Sequence, residues 1–171
     1  MLETKKKERP TNWIIEQIKL IAPKKKIQIL DFASGNGRNS IHLAEKDKII
    51  TAIDKDSKRL DHYRKFNYIN TICFDLETDE KWPLKNEYYD IIIVVNYLYR
   101  PKIKKLINLL NSGGHLFYET FSLGNEKYGL PRNPDYLLKD KELLNLFSKE
   151  NKILSYFSGL VAEEKLSLIH I

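Results

Sequence analysis

The strongest constraint on this chain is a repeated alternation. Short apolar runs, each ending near an acid or a turn, are separated by stretches with helical spacing of apolar residues. The first run is Ile27–Asp31, followed by the tight turn Gly35-Asn36-Gly37 and a helix over Arg38–Lys46. A second strand is expected over Ile49–Asp54 and a helix over Ser57–Phe66, with Ser57 as its N-cap. Strands at Thr71–Phe74 and Asp90–Val95 follow, the latter apolar throughout and so central. A helix over Pro101–Leu110 should stop at Asn111-Ser112-Gly113-Gly114, before a strand over His115–Thr120. The run ends with a helix over Lys139–Lys149 and two strands, Ile153–Phe157 and Lys165–Ile171. Repeated strand–helix units predict an α/β, Rossmann-like, doubly wound sheet that is mostly parallel. With no helix between them, the last two strands should pair antiparallel. Ahead of all this, Pro10-Thr11-Asn12 opens a helix carrying Trp13, Ile14, Ile18 and Ile21, closed by Pro23.

The 171 residues suit a single domain with its own core. Residues 1–9 are expected to be disordered. The last six, Leu166-Ser167-Leu168-Ile169-His170-Ile171, resemble the translation of a sequencing adapter and are expected to be a non-native tail that truncates the sheet. One cysteine, Cys73, excludes a disulfide framework and a zinc ribbon, and as part of a strand it is expected in the core. The longest apolar run, Ile91–Val95, is too short for a bilayer span, and the start lacks a secretory apolar core. A cytoplasmic enzyme or binding domain, monomeric or homodimeric and without membrane contact, is the expectation. The net charge of +6 invites a nucleic-acid reading. However, 23 lysines stand beside only 6 arginines, with 20 isoleucines and 13 asparagines, as AT-rich coding would give. The runs Lys5–Lys7 and Lys24–Lys26 are short and lack interleaved aromatics, so a solvated surface is the simpler reading.

Ligands of such sheets bind at the carboxyl ends of the strands, near the topological switch point. Gly35 and Gly37 permit a tight turn and close approach of a ligand to the main chain. A dinucleotide fingerprint would need a third glycine where Ser40 stands. Instead Asp31 precedes the glycines, where a carboxylate repels phosphate but can organise the loop around an ammonium group. Asp54, ending the second strand, can accept ribose hydroxyls, and Asp75, ending the third, can accept from an adenine amino group. Three acids around one adenosine pocket suit a cationic nucleoside without phosphates, and they disfavour an oxidoreductase. Any one of them alone could equally cap a loop or a helix.

Past the fourth strand, Asn96-Tyr97-Leu98-Tyr99-Arg100-Pro101 should face the reacting group. Asn96 can orient an amide or amine and also reach the cofactor. Tyr97 and Tyr99 can wall the pocket and hydrogen-bond the nucleophile, or pack in the core. Arg100 can pair with an anion. The loop 121–134, with Tyr128 and Arg132, is expected to close over substrate, Arg132 and Arg100 forming an anion-binding pair. Glu119 is the best candidate base, with a structural role as the alternative. His42, His62, His115 and His170 share no metal-ligand spacing, so no metal is expected.

The segment Leu30-Asp31-Phe32-Ala33-Ser34-Gly35-Asn36-Gly37-Arg38-Asn39-Ser40 resembles class I S-adenosylmethionine-dependent methyltransferases, above all the small tellurite-resistance and thiopurine-type enzymes. The likeness extends through Thr51-Ala52-Ile53-Asp54, Phe74-Asp75-Leu76-Glu77, Trp82-Pro83-Leu84, Tyr89-Asp90-Ile91-Ile92 and Gly113-Gly114-His115-Leu116-Phe117-Tyr118-Glu119-Thr120-Phe121. It implies S-adenosyl-L-methionine as cofactor, with Ala33, Gly35 and Gly37 along its methionine part, Asp31, Arg38 and Asn96 beside them, Asp54 on the ribose, and Asp75 with Leu76 on the adenine. Ala33 stands where the family pattern has its first glycine. The Asp/Asn-Pro-Pro-aromatic tetrad of amino-methylating DNA and protein enzymes is missing, which argues against that substrate class; the chain is near the minimum for the fold, and a small-molecule methyl acceptor is the expectation. An RNA or protein methyltransferase and a non-catalytic cofactor-binding regulator are the alternatives.

Overall fold

The computed structural model describes residues 9–21, 26–161 and 164–171. The expected closure at Pro23, the basic run 5–7 and all but Arg9 of the disordered start lie outside the described residues. Helix α1 spans Asn12–Leu20 and strand β1 Ile27–Phe32; α2 is Arg38–Leu43, β2 Lys48–Asp54, α3 Ser57–Tyr63 and β3 Ile69–Cys73. Strand β4, Tyr89–Val95, leads through a 3-10 helix, Arg100–Leu109, into β5, Leu110–Phe121. Two short 3-10 turns, Asn125–Lys127 and Pro134–Tyr136, precede α4, Glu142–Phe147, β6, Ser155–Val161, and β7, Glu164–His170.

These strands form one seven-stranded sheet in the order β3-β2-β1-β4-β5-β7-β6. Strands β1 to β5 pair in parallel, and β7 runs antiparallel to both neighbours. The doubly wound, mostly parallel architecture with an antiparallel last strand is thus as the sequence predicts. The chain winds outward from β1 to β3, then returns to lay β4 on the other side of β1. Sheets of this topology take their ligands in the crevice at that reversal, above the carboxyl ends of β1 and β4.

Alternation along the buried strands serves two cores. Ile91 and Ile93 of β4 pack with Ile29, Ile50, Phe117 and the helical residues Ile14, Ile18, Leu60 and Tyr63. Ile92 and Val94 face the other way, among Leu30, Phe32, Leu106, Tyr118, Leu143 and Phe147. A strand buried on both faces must be apolar at every position, and Ile91–Val94 is.

Several local expectations are corrected. Asp56, not Ser57, caps α3: its Oδ1 accepts the N–H groups of Lys58 at 3.0 Å and Arg59 at 3.3 Å. The segment after β4 is a ten-residue 3-10 helix, long for a form that seldom exceeds a few residues. Residues 111–114 do not stop a helix but open β5. The Asn111 amide donates to the Tyr88 carbonyl and to Asp90 Oδ1, both at 3.1 Å, which ties this stretch to the start of β4. Cys73 is exposed, its Sγ 3.6 Å from the Lys55 carbonyl. Residues 166–170 belong to β7 and make rungs with both β5 and β6, in keeping with the strand expected over Lys165–Ile171.

Candidate functional site

The turn leaving β1 is built on left-handed backbone. Ala33, Gly35 and Gly37 have φ of +58°, +56° and +70°, a region that favours glycine. At Gly37 a second reason applies: a Cβ there would fall 2.7 Å from the Tyr63 ring. That ring comes from α3 and lies under the turn. Its Oη sits 2.6 Å from Ser34 Oγ and donates to the Gly35 carbonyl at 3.3 Å. Burial pushes the Tyr63 phenol above its ordinary range, so it stays a neutral donor.

Carboxylates stand at the ends of β1 and β2 and just past β3. Asp31 is buried and accepts from Ser40 Oγ at 2.6 Å. Burial pushes its pKa up to about 6 against the opposing pull of the Ser40 bonds and of Arg38. Ser40, where a dinucleotide site would have glycine, thus holds the acid in place. Asp54 is half-buried; Oδ2 accepts the Gly35 N–H at 2.8 Å and Oδ1 the Asp56 N–H at 3.0 Å. Each oxygen keeps further acceptor capacity. Asp75 Oδ1 accepts the Glu77 N–H at 3.0 Å, and Lys55 Nζ lies 3.9 Å from Oδ2. Leu76 is buried beside it, its carbonyl receiving the Trp82 indole N–H at 3.1 Å.

The chain turns out of β4 at Asn96, whose φ is +57°. Asn96 is exposed, and its N–H donates to the Glu119 carbonyl at 2.9 Å. Tyr97 packs its ring edge-on to Phe32, centroids 5.7 Å apart, and Tyr118 Oη donates to the Tyr97 carbonyl at 2.6 Å. The Tyr97 hydroxyl is buried with no hydrogen-bond partner. Tyr97 and Tyr99 line a small cleft with Phe32, Trp82, Lys102 and Tyr118.

Arg100 departs from its expected role. Nε and Nη2 grip the Glu142 carboxylate at 2.6 and 2.9 Å, while Nη1 and Nη2 donate to the carbonyls of Asp135 and Leu137 at 2.6 and 2.8 Å. A guanidinium so engaged is a strap between the β4 exit and the start of α4, not an anion receptor. Arg100 is therefore not free to form the expected anion-binding pair with Arg132. Arg132 and Tyr128 are exposed on a loop that folds back on itself. Leu123 donates to the Leu138 carbonyl and Leu138 to the Phe121 carbonyl, both at 2.9 Å.

Glu119 is buried and accepts from the indole N–H of Trp13 on α1. Burial holds its carboxyl above the usual range, and the Trp13 bond pulls the other way. His115 Nδ1 and His170 Nε2 lie 3.0 Å apart, and among the described residues no group of three potential metal ligands occurs. No helix among them is long and apolar enough to cross a membrane.

Sequence reasoning missed Tyr63, Trp13 and Glu142 as parts of this site. Each reads locally as an ordinary helical position, and each acts across 28 to 106 residues of chain. In the sequence Ser40 stands out as the missing third glycine, and its bond to Asp31 emerges only in the fold.

The sequence pattern of the methyltransferase-domain family matches residues 29–114, half of the chain. No curated protein matches by sequence. Among solved structures, an S-adenosylmethionine-dependent methyltransferase from Aquifex aeolicus superposes with a TM-score of 0.68 at 14% identity, over 91% of this chain and 88% of that one. TehB from Haemophilus influenzae gives 0.70 at 21% identity, over 93% of this chain and 60% of its own. A TehB-like methyltransferase from Corynebacterium glutamicum gives 0.65 at 17% identity, over 90% and 83%.

Proposed function

The chain belongs to the methyltransferase-domain family, and from that premise we propose that it moves a methyl group from S-adenosyl-L-methionine to a small-molecule acceptor by in-line displacement. When bound, that cofactor supplies an electrophilic methyl on a sulfonium that leaves as a neutral thioether. The rim of acids supports the reading. A cationic, phosphate-free nucleoside meets carboxylates at Asp31, Asp54 and Asp75, where a diphosphate would be repelled.

The residues have distinct tasks. Asp31, ionised at neutral pH, attracts the ammonium end, with Arg38 close by to hold the carboxylate of the same moiety. Ala33, Gly35 and Gly37 bring backbone close to it. Asp54 accepts ribose hydroxyls while bracing the Gly35 turn, and Asp75 with Leu76 borders the base. Asn96, at the end of β4, and the Tyr99 and Glu119 positions flank the place where an acceptor must lie. The loop with Tyr128 and Arg132 leaves β5 at the same sheet edge and can shield that place from water. A soft nucleophile such as a thiolate needs no base. For a hydroxyl or amine, Glu119 would have to exchange its Trp13 bond to take a proton. A reducing, cytoplasmic setting accords with the free, exposed thiol of Cys73, and a monomer or homodimer is the assembly proposed.

The observation that carries most weight is the Asp54–Gly35 bond, which joins the ribose-side acid to the methionine-side turn. The test is transfer of isotopically labelled methyl from the cofactor to a panel of thiols, oxyanions, amines and transfer RNA. Label recovered in a small molecule is the expected result. Label confined to RNA or to protein would reject the acceptor class, and absence of any cofactor binding would reject the whole reading.

A further inference from the structure

Tyr97 carries an unmet demand. Its hydroxyl is buried, yet no donor or acceptor meets it. A buried polar group without a partner is costly and uncommon, and it calls for an explanation. The side chain is held in place. The backbone enters through the left-handed Asn96, the Tyr97 carbonyl is held by Tyr118 Oη at 2.6 Å, and the ring edge rests on Phe32, the residue just before Ala33. The charged groups that bear on the phenol are Glu77, Asp75 and Asp54. All belong to the β2 and β3 exits, the nucleoside side of the crevice. Burial, reinforced by those carboxylates, keeps the phenol protonated, so its O–H remains to be donated.

We propose that Tyr97 binds the cofactor rather than the methyl acceptor, its hydroxyl donating to an acceptor atom of the nucleoside. This inference rests on the reading of the crevice as an S-adenosylmethionine site and assigns Tyr97 a place in it. Before ligand arrives the hydroxyl costs the fold free energy; with ligand it gains a hydrogen bond. The two states therefore respond to its removal with opposite sign, which a merely structural tyrosine does not do.

Tyr156 on β6 supplies the control. Its hydroxyl is also buried without a partner, and its ring packs against the core under the 3-10 helix side of the sheet, on a strand at the far edge. The experiment compares wild type, Tyr97→Phe and Tyr156→Phe. Thermal midpoints are read without ligand, and calorimetric titrations use S-adenosylhomocysteine and adenosine. Both variants should melt at or above the wild-type midpoint. Tyr97→Phe should bind both probes about five- to tenfold more weakly, the loss of one net hydrogen bond, and Tyr156→Phe should bind them as wild type does. Equal affinity in Tyr97→Phe and wild type overturns the inference. So does a loss seen with S-adenosylhomocysteine but not with adenosine, or a matching loss in Tyr156→Phe. If wild type binds neither probe, the cofactor assignment itself fails, and that result is distinct from a wild type that binds and a Tyr97 variant that binds equally well.

Discussion

Asp54 Oδ2 accepts the Gly35 N–H at 2.8 Å, so the end of β2 holds the turn that leaves β1. The same carboxylate accepts the Asp56 N–H through Oδ1. One side chain thus joins the turn leaving β1 to the turn leaving β2. Replacing Asp54 with alanine removes these bonds together with the ribose contacts proposed for it. Binding of S-adenosylhomocysteine should weaken by about 1–3 kcal/mol, the range for charge-assisted hydrogen bonds. Calorimetry measures this directly, and an unchanged affinity removes Asp54 from the site.

Ala33 holds φ at +58° with a Cβ that the left-handed region disfavours. Glycine relieves that strain but adds freedom to the unfolded chain. The balance favours Ala33→Gly by about 0.5–1 kcal/mol. A small rise in the denaturation midpoint is the expected readout, and a clear fall would show that the alanine methyl packs better than its backbone geometry suggests.

Asp31 predicts a pH dependence. Its pKa is raised from 3.8 to about 6, so between those values the folded chain binds more protons than the unfolded one. The Asp31 contribution to stability therefore falls as pH climbs from about 4 to about 6. His170 opposes it: its pKa is lowered from 6.5 to about 4, the unfolded chain holds that proton, and stability rises with pH over the same window. The Asp31→Asn variant separates the two. Its thermal midpoint should gain on wild type as pH goes from 4 to 6 and hold that lead at 7. Wild-type affinity for S-adenosylhomocysteine should increase as pH passes about 6, and the variant should show no such step. A midpoint difference flat across pH 4 to 7 contradicts the burial argument.

Arg100 is predicted to act on stability. Its bond to Glu142 is bidentate and its side chain one-third exposed, 34%, against 16% for Glu142. Arg100→Ala should cost about 1.5–3 kcal/mol, discounted from a fully buried pair for that exposure. Glu142→Ala should cost a similar amount, and the double variant clearly less than the two combined. Cofactor affinity should stay near wild type in all three. Strict additivity in chemical denaturation would mean the strap contributes little.

The part of the site most legible in the sequence is local. Asp31, Gly35 and Gly37 lie on one turn, and Asp54 and Asp75 follow from reading where the next strands end. That reading works because strand ends and tight turns are written in adjacent residues. The apolar run Ile91–Val94 likewise announces a strand covered on both faces. What stayed hidden depends on distant partners. Nothing near Arg100 signals that Glu142 will occupy its fork, and nothing near Glu119 signals Trp13. Tyr63 looks like any half-apolar helical residue until α3 lays it beneath Gly37. Residues 111–114 have the composition of a helix stop, but the Asn111 bonds to β4 make them strand. Asp56 outcompeted Ser57 as cap by a single position, a distinction composition does not resolve.

The most direct measurement is a pair of calorimetric titrations of the wild-type chain, one with S-adenosylhomocysteine and one with NAD. The carboxylate rim predicts saturable one-to-one binding of the first and none of the second. Saturation by NAD, with S-adenosylhomocysteine inert, would contradict the account at its base.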